Sequence, residues 1–223
     1  MNPREASVNQ GSGPRAGGKR PYDSSRRQEQ AARKRAEVIN VAEQRFLRDG
    51  YAETTVSAIA ADVGVSDHMI YKTFGGKPGL VRAIRAKALL GAGPTPAEHR
   101  SDAVIAEETD PRKIISAWGT LTAEVMPRVA PLLLLIRDAA ATDPEVTELL
   151  EELDADRLRR MTDNARSLVE TNQLGQGANV AEVADVLWTY SAPELYELLV
   201  IRRGWSAARY GQFIAKAMTD ALL

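Results

Sequence analysis

A chain of 223 residues can bury one sizeable core or two small ones, and its 44 % apolar residues with only 5 % aromatics, set beside abundant Ala, Leu, Glu and Arg, lean toward an all-α fold. Without cysteine there is no disulfide framework, no Cys-ligated zinc and no thiol nucleophile, and with His68 and His99 as the sole histidines, imidazole and metal chemistry have few candidates. The net charge of −1 hides an asymmetry: residues 1–90 hold 16 Lys and Arg against 9 Asp and Glu, whereas residues 91–223 hold 13 against 21. A basic front end suits a polyanion, and an acidic remainder keeps clear of it.

Residues 1–24, rich in Gly, Pro, Ser and Asn and without apolar periodicity, are expected to be a disordered tail. Its Arg4, Arg15, Lys19 and Arg20 could follow DNA phosphates or enter a minor groove, or could simply solubilise the chain. From about Ser25 a helix is expected, with Ile39, Ala42, Phe46 and Leu47 at helical spacing and Gly50 as its stop. Thr54 or Thr55 can cap a second helix with Val56, Ile59, Ala60 and Val63 inward, ended by Gly64. Ser66 caps a short third helix containing Ile70, Tyr71 and Phe74, broken by Gly75 and Gly76. Pro78 opens a fourth, with Leu80, Val81, Ile84 and Ala88 inward.

The run from Gly91 to Ala97 reads as a linker, at the point where the charge balance changes sign. Beyond it helices are expected near 98–108, 111–126, 128–141, 144–173, 179–191, 193–203 and 206–222. Asp110-Pro111 and Asp143-Pro144 start two of them, Gly175 and Gly177 end one, and Arg202-Arg203-Gly204 ends another with cations at the negative end of the dipole. The linker therefore divides the chain into a helical unit over 25–76, a connecting helix over 77–90 and a larger helical region over 91–223. The longest apolar run, Pro131 to Ile136, is too short to span a bilayer and the first residues show no hydrophobic signal segment, so a cytoplasmic protein without a membrane partner is expected.

Two helices meeting steeply need a small residue where their backbones approach, a turn residue tolerant of positive φ, and an apolar plug from the second helix. Ala60, Gly64 and Ile70 meet these needs in order, at the spacing of a DNA-binding helix-turn-helix. Ser66, Asp67, His68 and Lys72 are not needed for the plug and can face outward at an N-terminus that attracts phosphate. Tyr71 can pack its ring or offer its hydroxyl to a phosphate. Lys77 opposes the dipole of the helix it opens, which makes sense if an external anion also sits there, so its removal is expected to flatten the salt dependence of DNA binding by about one counterion. Thr55 can both cap its helix and touch a phosphate.

These residues carry a resemblance. The stretch Arg35 to Ile84, with Ala42 and Phe46, Gly50-Tyr51, Thr54-Thr55-Val56, Ile59-Ala60, Gly64-Val65-Ser66, Ile70-Tyr71, Phe74 and Lys77, resembles the DNA-binding domain of TetR-family transcriptional regulators over about fifty residues. More loosely, the C-terminal stretch with Trp188, Ser191, Leu195, Tyr196, Gly204-Trp205-Ser206, Tyr210 and Leu223 looks like the family's dimerising end. The resemblance implies an all-α homodimer, with a helix-turn-helix DNA-binding domain over 25–76 joined by the connecting helix 77–90 to an effector-binding and dimerisation domain over 91–223, acting as a repressor that a small ligand releases from its operator. It places Thr55, Ser66, Asp67, His68, Tyr71, Lys72 and Lys77 where family members meet double-stranded DNA. His68 and Met69 replace a usual small residue and a hydroxyl residue, and Thr73 replaces a frequent aromatic or His; Asp67 is better suited to capping its helix or accepting from a cytosine amino group than to meeting phosphate.

In the remainder, Trp118, Leu121, Val125, Leu133, Ile136, Met161 and Trp188 offer large apolar surface that can line a cavity for a small apolar or amphipathic effector, or fill a solid core. Arg137 can meet a ligand carboxylate, or pair with Asp138 or a glutamate. A palindromic operator needs two reading heads about 34–36 Å apart, so Val183, Leu187, Leu195, Leu199, Phe213 and Ala217 are expected to contribute to an intersubunit four-helix bundle. Acid pairs such as Glu107-Glu108 and Glu151-Glu152 read as solvated helix faces, and no catalytic residue, metal or cofactor is expected. Control by a protein partner, or action as an activator, is the alternative to a ligand-released repressor.

Overall fold

The computed structural model describes residues 22–93, 95–170, 174 and 177–223, with side chains from residue 25 onward within those ranges. The expectations for the tail before Tyr22, for Pro94, for the last turn of the 144–173 helix and for Gly175 lie outside the described residues. Among the described residues every regular element is helical: α1 Tyr22–Asp49, α2 Val56–Val63, α3 Asp67–Phe74, α4 Lys77–Leu90, α5 Ala97–Glu107, α6 Pro111–Ala140, α7 Pro144–Glu170, α8 Val180–Tyr190, α9 Pro193–Tyr196 and α10 Ala207–Leu222. The starts follow local chemistry. Asp110 accepts from the Arg112 N–H at 2.9 Å, Asp143 from the Glu145 N–H at 3.0 Å, Asn179 from the Ala181 N–H at 2.9 Å and Ser206 from the Arg209 N–H at 3.2 Å.

Two segments depart from the expected pattern. The break expected between residues 126 and 128 is absent, and α6 runs for 30 residues through Pro127 and Pro131. Each proline removes a backbone donor, a local cost of about 3 kcal/mol. That cost is offset by the faces on either side of the prolines, where Met126, Val129, Ala130 and Leu132 are buried. The helix expected over 193–203 instead becomes a single α-turn, α9, followed by a π-helical stretch at Glu197–Arg202.

Packing gathers the buried residues into two cores. The first joins α1 (Val38, Ala42, Phe46), α2 (Ile59, Ala60), α3 (Ile70) and α4 (Leu80, Ile84), and it reaches into α6 at Leu132 and Ile136 and into α7 at Val146, Leu149 and Leu153. The second is built from Ala88, Ile114, Trp118, Leu168, Leu187, Tyr210 and Ile214, among others. Packing therefore does not stop at the linker: α4 contributes to both cores. By length and composition α6 could cross a membrane; here it is the central strut, with α4, α5, α7, α9 and α10 packed around it. Its approach to α10 is backbone to backbone, because a Cβ on Gly119 or on Gly211 would run into the other's carbonyl oxygen.

Candidate nucleic-acid interface and adjoining cavity

The α2–α3 pair is locked by its own backbone and caps. Thr55 Oγ1 accepts from the Ala58 N–H at 3.1 Å and Ser66 Oγ from the Met69 N–H at 3.3 Å. Thr54, the other capping candidate, is buried and donates instead to the Gly50 carbonyl at 2.7 Å. Gly64 sits at φ 69°, ψ 43°, which lets the Val65 N–H return to the Ala60 carbonyl at 2.9 Å and close the turn. Ala60 and Ile70 are buried at the crossing, as their spacing demands. Lys34 donates to the Val63 carbonyl at 2.6 Å, a cation at the negative end of α2, and Arg45 grips Asp62 with two bonds of 2.7 and 2.9 Å.

On α3, Ile70 is the one residue fully buried, whereas His68, Tyr71, Lys72 and Thr73, like the capping Ser66, are exposed. Tyr71 stands 57 % open, more than any other large apolar or aromatic side chain among the described residues. Thr55 is also exposed, and its hydroxyl, while accepting one bond, keeps a proton to donate.

Two candidate contacts have other engagements. Asp67 accepts a hydrogen bond from the Ser57 hydroxyl and thereby ties α3 to α2. Lys77 turns inward: its ammonium donates to the Tyr51 carbonyl at 2.8 Å and reaches the Ala52 carbonyl at 3.5 Å, 4.2 Å above the Tyr51 ring. Burial lowers the Lys77 pKa and raises the Tyr51 phenol to about 12. The opposed helix dipole is thus answered by two carbonyls of this chain; the signal the sequence offered was the aromatic residue after Gly50.

α4 connects this unit to the rest. Arg82 binds Glu152 at 2.7 Å, Arg85 binds Asp156 at 2.9 Å, and Lys87 binds Glu43 of α1 at 2.6 Å. Two of these three bridges hold α4 to α7. Arg85 and Asp156 also stand in the wall of a cavity of about 530 Å³ lined from α4, α5, α6, α7, α8 and α10.

Of the expected effector residues, Trp118, Leu121, Val125, Leu133 and Met161 line this cavity. Trp188 and Arg137 line a neighbouring space of about 340 Å³, which shares Leu133 and Arg157 with the first. Ile136 lines neither: fully buried, it belongs to the first core with Val146 and Leu149, because α6 has turned that face toward α7. Arg137 is paired within the chain, to Asp138 at 2.8 Å and Glu197 at 2.9 Å, which raises its pKa. The sequence reading missed Arg85, Ser101, Arg157 and Asn164, whose polar or charged types in mixed helical runs look like solvated faces.

The expected dimer residues divide. Val183 and Leu187 face the core of their own chain, 4 % and 1 % exposed, because α8 packs on α7 and α10. Leu195, Leu199 and Ala217 are half-buried, and Phe213 is exposed beside the Trp205 ring. Leu198 and Ile201 are exposed as well.

Residues 38–84 match the family model of bacterial regulatory proteins of the tetR family. No curated protein matches the chain by sequence. Solved structures match it over most of their length. The transcriptional regulator FadR from Bacillus subtilis, in complex with stearoyl-CoA, superposes with a TM-score of 0.65 at 15 % identity, over 84 % of this chain and 99 % of that one. The fatty acid degradation regulator FadR from Bacillus halodurans gives 0.64 at 17 %, over 83 % and 94 %. SmeT in its triclosan complex gives 0.65 at 21 %, over 85 % and 91 %. At these identities the likeness is one of fold.

Proposed function

We propose that this chain, whose residues 38–84 form a DNA-binding domain of the tetR family, is a cytoplasmic repressor that reads a palindromic operator as a homodimer and lets go when a small amphipathic molecule fills the cavity beside α4. The observation that carries the reading is the contrast on α3: one face locked into the turn by Ile70, the other presenting His68, Tyr71 and Lys72 to the outside. A helix so presented fits a major groove, with Thr55 and Ser66 at the two helix N-termini for phosphates. Asp67 and Lys77 act behind that face, holding α3 to α2 and the start of α4 to the Tyr51 turn.

The cavity volume lies in the range of small-molecule sites, and relatives of the same fold hold stearoyl-CoA or triclosan. The coupling runs through α4. An effector that shifts α7 pulls on Arg82 and Arg85 and so changes the spacing of the two heads in the dimer, a coupling of typically about 1–3 kcal/mol. Exposed Phe213, Leu198 and Ile201 near the C-terminus supply apolar surface for the second copy.

The test is selection of genomic fragments by the purified chain, followed by binding to the recovered duplex against random competitor, with and without candidate effectors. The proposal expects a two-fold symmetric site, dimer stoichiometry and weaker binding with effector. Binding without sequence preference would defeat the reading, and binding that no small molecule alters would replace the ligand-released repressor by a regulator controlled through a protein partner.

A further inference from the structure

We infer that the larger cavity takes an amphiphile with a carboxylate head, held by Arg157 together with the Ser101 hydroxyl and the Trp118 indole N–H; this rests on the effector site proposed above. Three polar atoms in the cavity wall are buried without a hydrogen-bond partner: Ser101 Oγ, Trp118 Nε1 and Arg157 Nε. Indole and guanidinium N–H groups can only donate, and a serine hydroxyl can donate too. Buried polar groups are ordinarily paired, so a set of orphaned donors on three different helices asks for a ligand that brings acceptors. Leu121, Val125 and Met161 in the same wall ask for an apolar body.

Charge narrows the head group further. Arg85 and Arg160, in the same wall, are matched by Asp156 at 2.9 Å and Asp102 at 2.7 Å, and Arg159 by Asp156. Arg157 is buried more deeply than these three, yet its carboxylate contact is Asp154 at 3.3 Å, itself about half exposed. Its closer bonds go to neutral acceptors, the Trp188 carbonyl at 2.7 Å and the Ser191 hydroxyl at 3.1 Å. The Trp188 ring, 4.4 Å away, fixes the plane of the guanidinium. Burial lowers the Arg157 pKa, and an anion beside it would oppose that shift. A carboxylate offers two acceptor oxygens and a second negative charge beside the guanidinium, whereas an ammonium head would leave the donors unpaired and add like charge. Arg137, by contrast, already holds its carboxylates.

Calorimetric titration of the full chain with dodecanoate, dodecanol and dodecyltrimethylammonium, each below its micelle concentration, tests this. Dodecanoate should bind at least about tenfold more tightly than dodecanol, with the ammonium weakest. Arg157→Gln should cost dodecanoate about tenfold and leave dodecanol within about twofold. Trp118→Phe keeps a ring and removes the N–H, and should cost dodecanoate several-fold; it serves as the second variant if circular dichroism shows that Arg157→Gln does not fold. Equal binding of acid and alcohol, or a preference unchanged in both variants, overturns the inference. DNA selection is measured on the same sample without amphiphile, so a chain that selects DNA yet treats the three probes alike overturns the carboxylate site and leaves the regulator standing.

Discussion

The reading head and the cavity half are made of the same element and finished differently. In the head, the polar side chains near the turn are engaged by the chain itself. Thr54, Lys34 and Lys77 give to carbonyls, Thr55 and Ser66 cap, and Asp67 takes the Ser57 hydroxyl. Among the described residues, the buried side-chain polar atoms without a partner, on Arg100, Ser101, Trp118, Arg157, Trp188 and Tyr210, all lie beyond the linker. The wedge is stabilised by satisfying the polar groups around its turn. On the function proposed above, the other half keeps space and unmet donors, and so leaves free energy for a ligand to supply. α4, with Leu80 and Ile84 in one core and Ala88 in the other, belongs to both regimes.

The comparison breaks if the two halves respond alike to truncation of an apolar side chain. Ile70 is fully buried at the crossing of α2 and α3, so Ile70→Ala should cost about 2–5 kcal/mol and abolish operator binding. Val125 is half-buried against the cavity, where truncation only enlarges space already present; Val125→Ala should cost about 1 kcal/mol or less and spare DNA binding. Urea titrations of the two variants decide it. Similar losses would mean that the cavity wall is packed as firmly as the head.

How much the sequence disclosed follows the same line. The helix starts, the Gly64 turn and the Ala60–Ile70 crossing were legible because they are local: a cap, a positive φ and a short spacing. Five cavity residues were legible as apolar surface, but Ile136 was not separable from them, since α6 presents two buried faces and only packing assigns each to a core. The continuity of α6 through Pro127 and Pro131 is tertiary, as is the inward turn of Val183 and Leu187. Arg157 was invisible for a related reason. Whether an arginine in a charged helical run meets water or a cavity depends on Trp188, 31 residues away, which receives it.

Glu124 sharpens the contrast from within the cavity half, as a carboxylate whose partners the chain itself supplies. It accepts from Arg100 at 2.9 and 2.6 Å and from the Ala92 N–H, joining α6 to α5 and to the turn after α4. The Arg100 hydrogen bonds, opposed by burial and aided by the Ala92 N–H, hold its pKa at about 2. A depressed carboxylate pKa contributes stability that is full above the ordinary 4.5 and is lost as pH falls from there toward about 2. Glu124→Gln should therefore cost about 1–3 kcal/mol at neutral pH. The gap from the unaltered chain should close as the pH falls below about 4.5, as followed by urea midpoints at successive pH values. A gap constant from pH 7 to 3 would show that the ion pair does not hold the turn.

The smallest effect tests the finest distinction within the head, between a lysine that reads and a lysine that braces. Lys72 is exposed on the outward face of α3, and its ammonium can neutralise a phosphate on docking. Lys72→Ala should weaken operator binding a few-fold and reduce the slope of log K against log salt by about one. Lys77, expected from sequence to do the same, has its ammonium on the Tyr51 and Ala52 carbonyls and its pKa lowered by burial. Lys77→Ala should lower stability by about 1–3 kcal/mol, as a charged donor is removed from the part-buried Tyr51 carbonyl and from that of Ala52. It should weaken DNA binding only through the misplaced start of α4, with the salt slope unchanged, because no counterion is released when a cation is already held by its own chain. Anisotropy titrations between about 50 and 200 mM salt separate the two slopes. If Lys77→Ala flattened the slope as much as Lys72→Ala, the ammonium would have to leave the Tyr51 turn on docking, and the head would be less rigid than its hydrogen bonds imply.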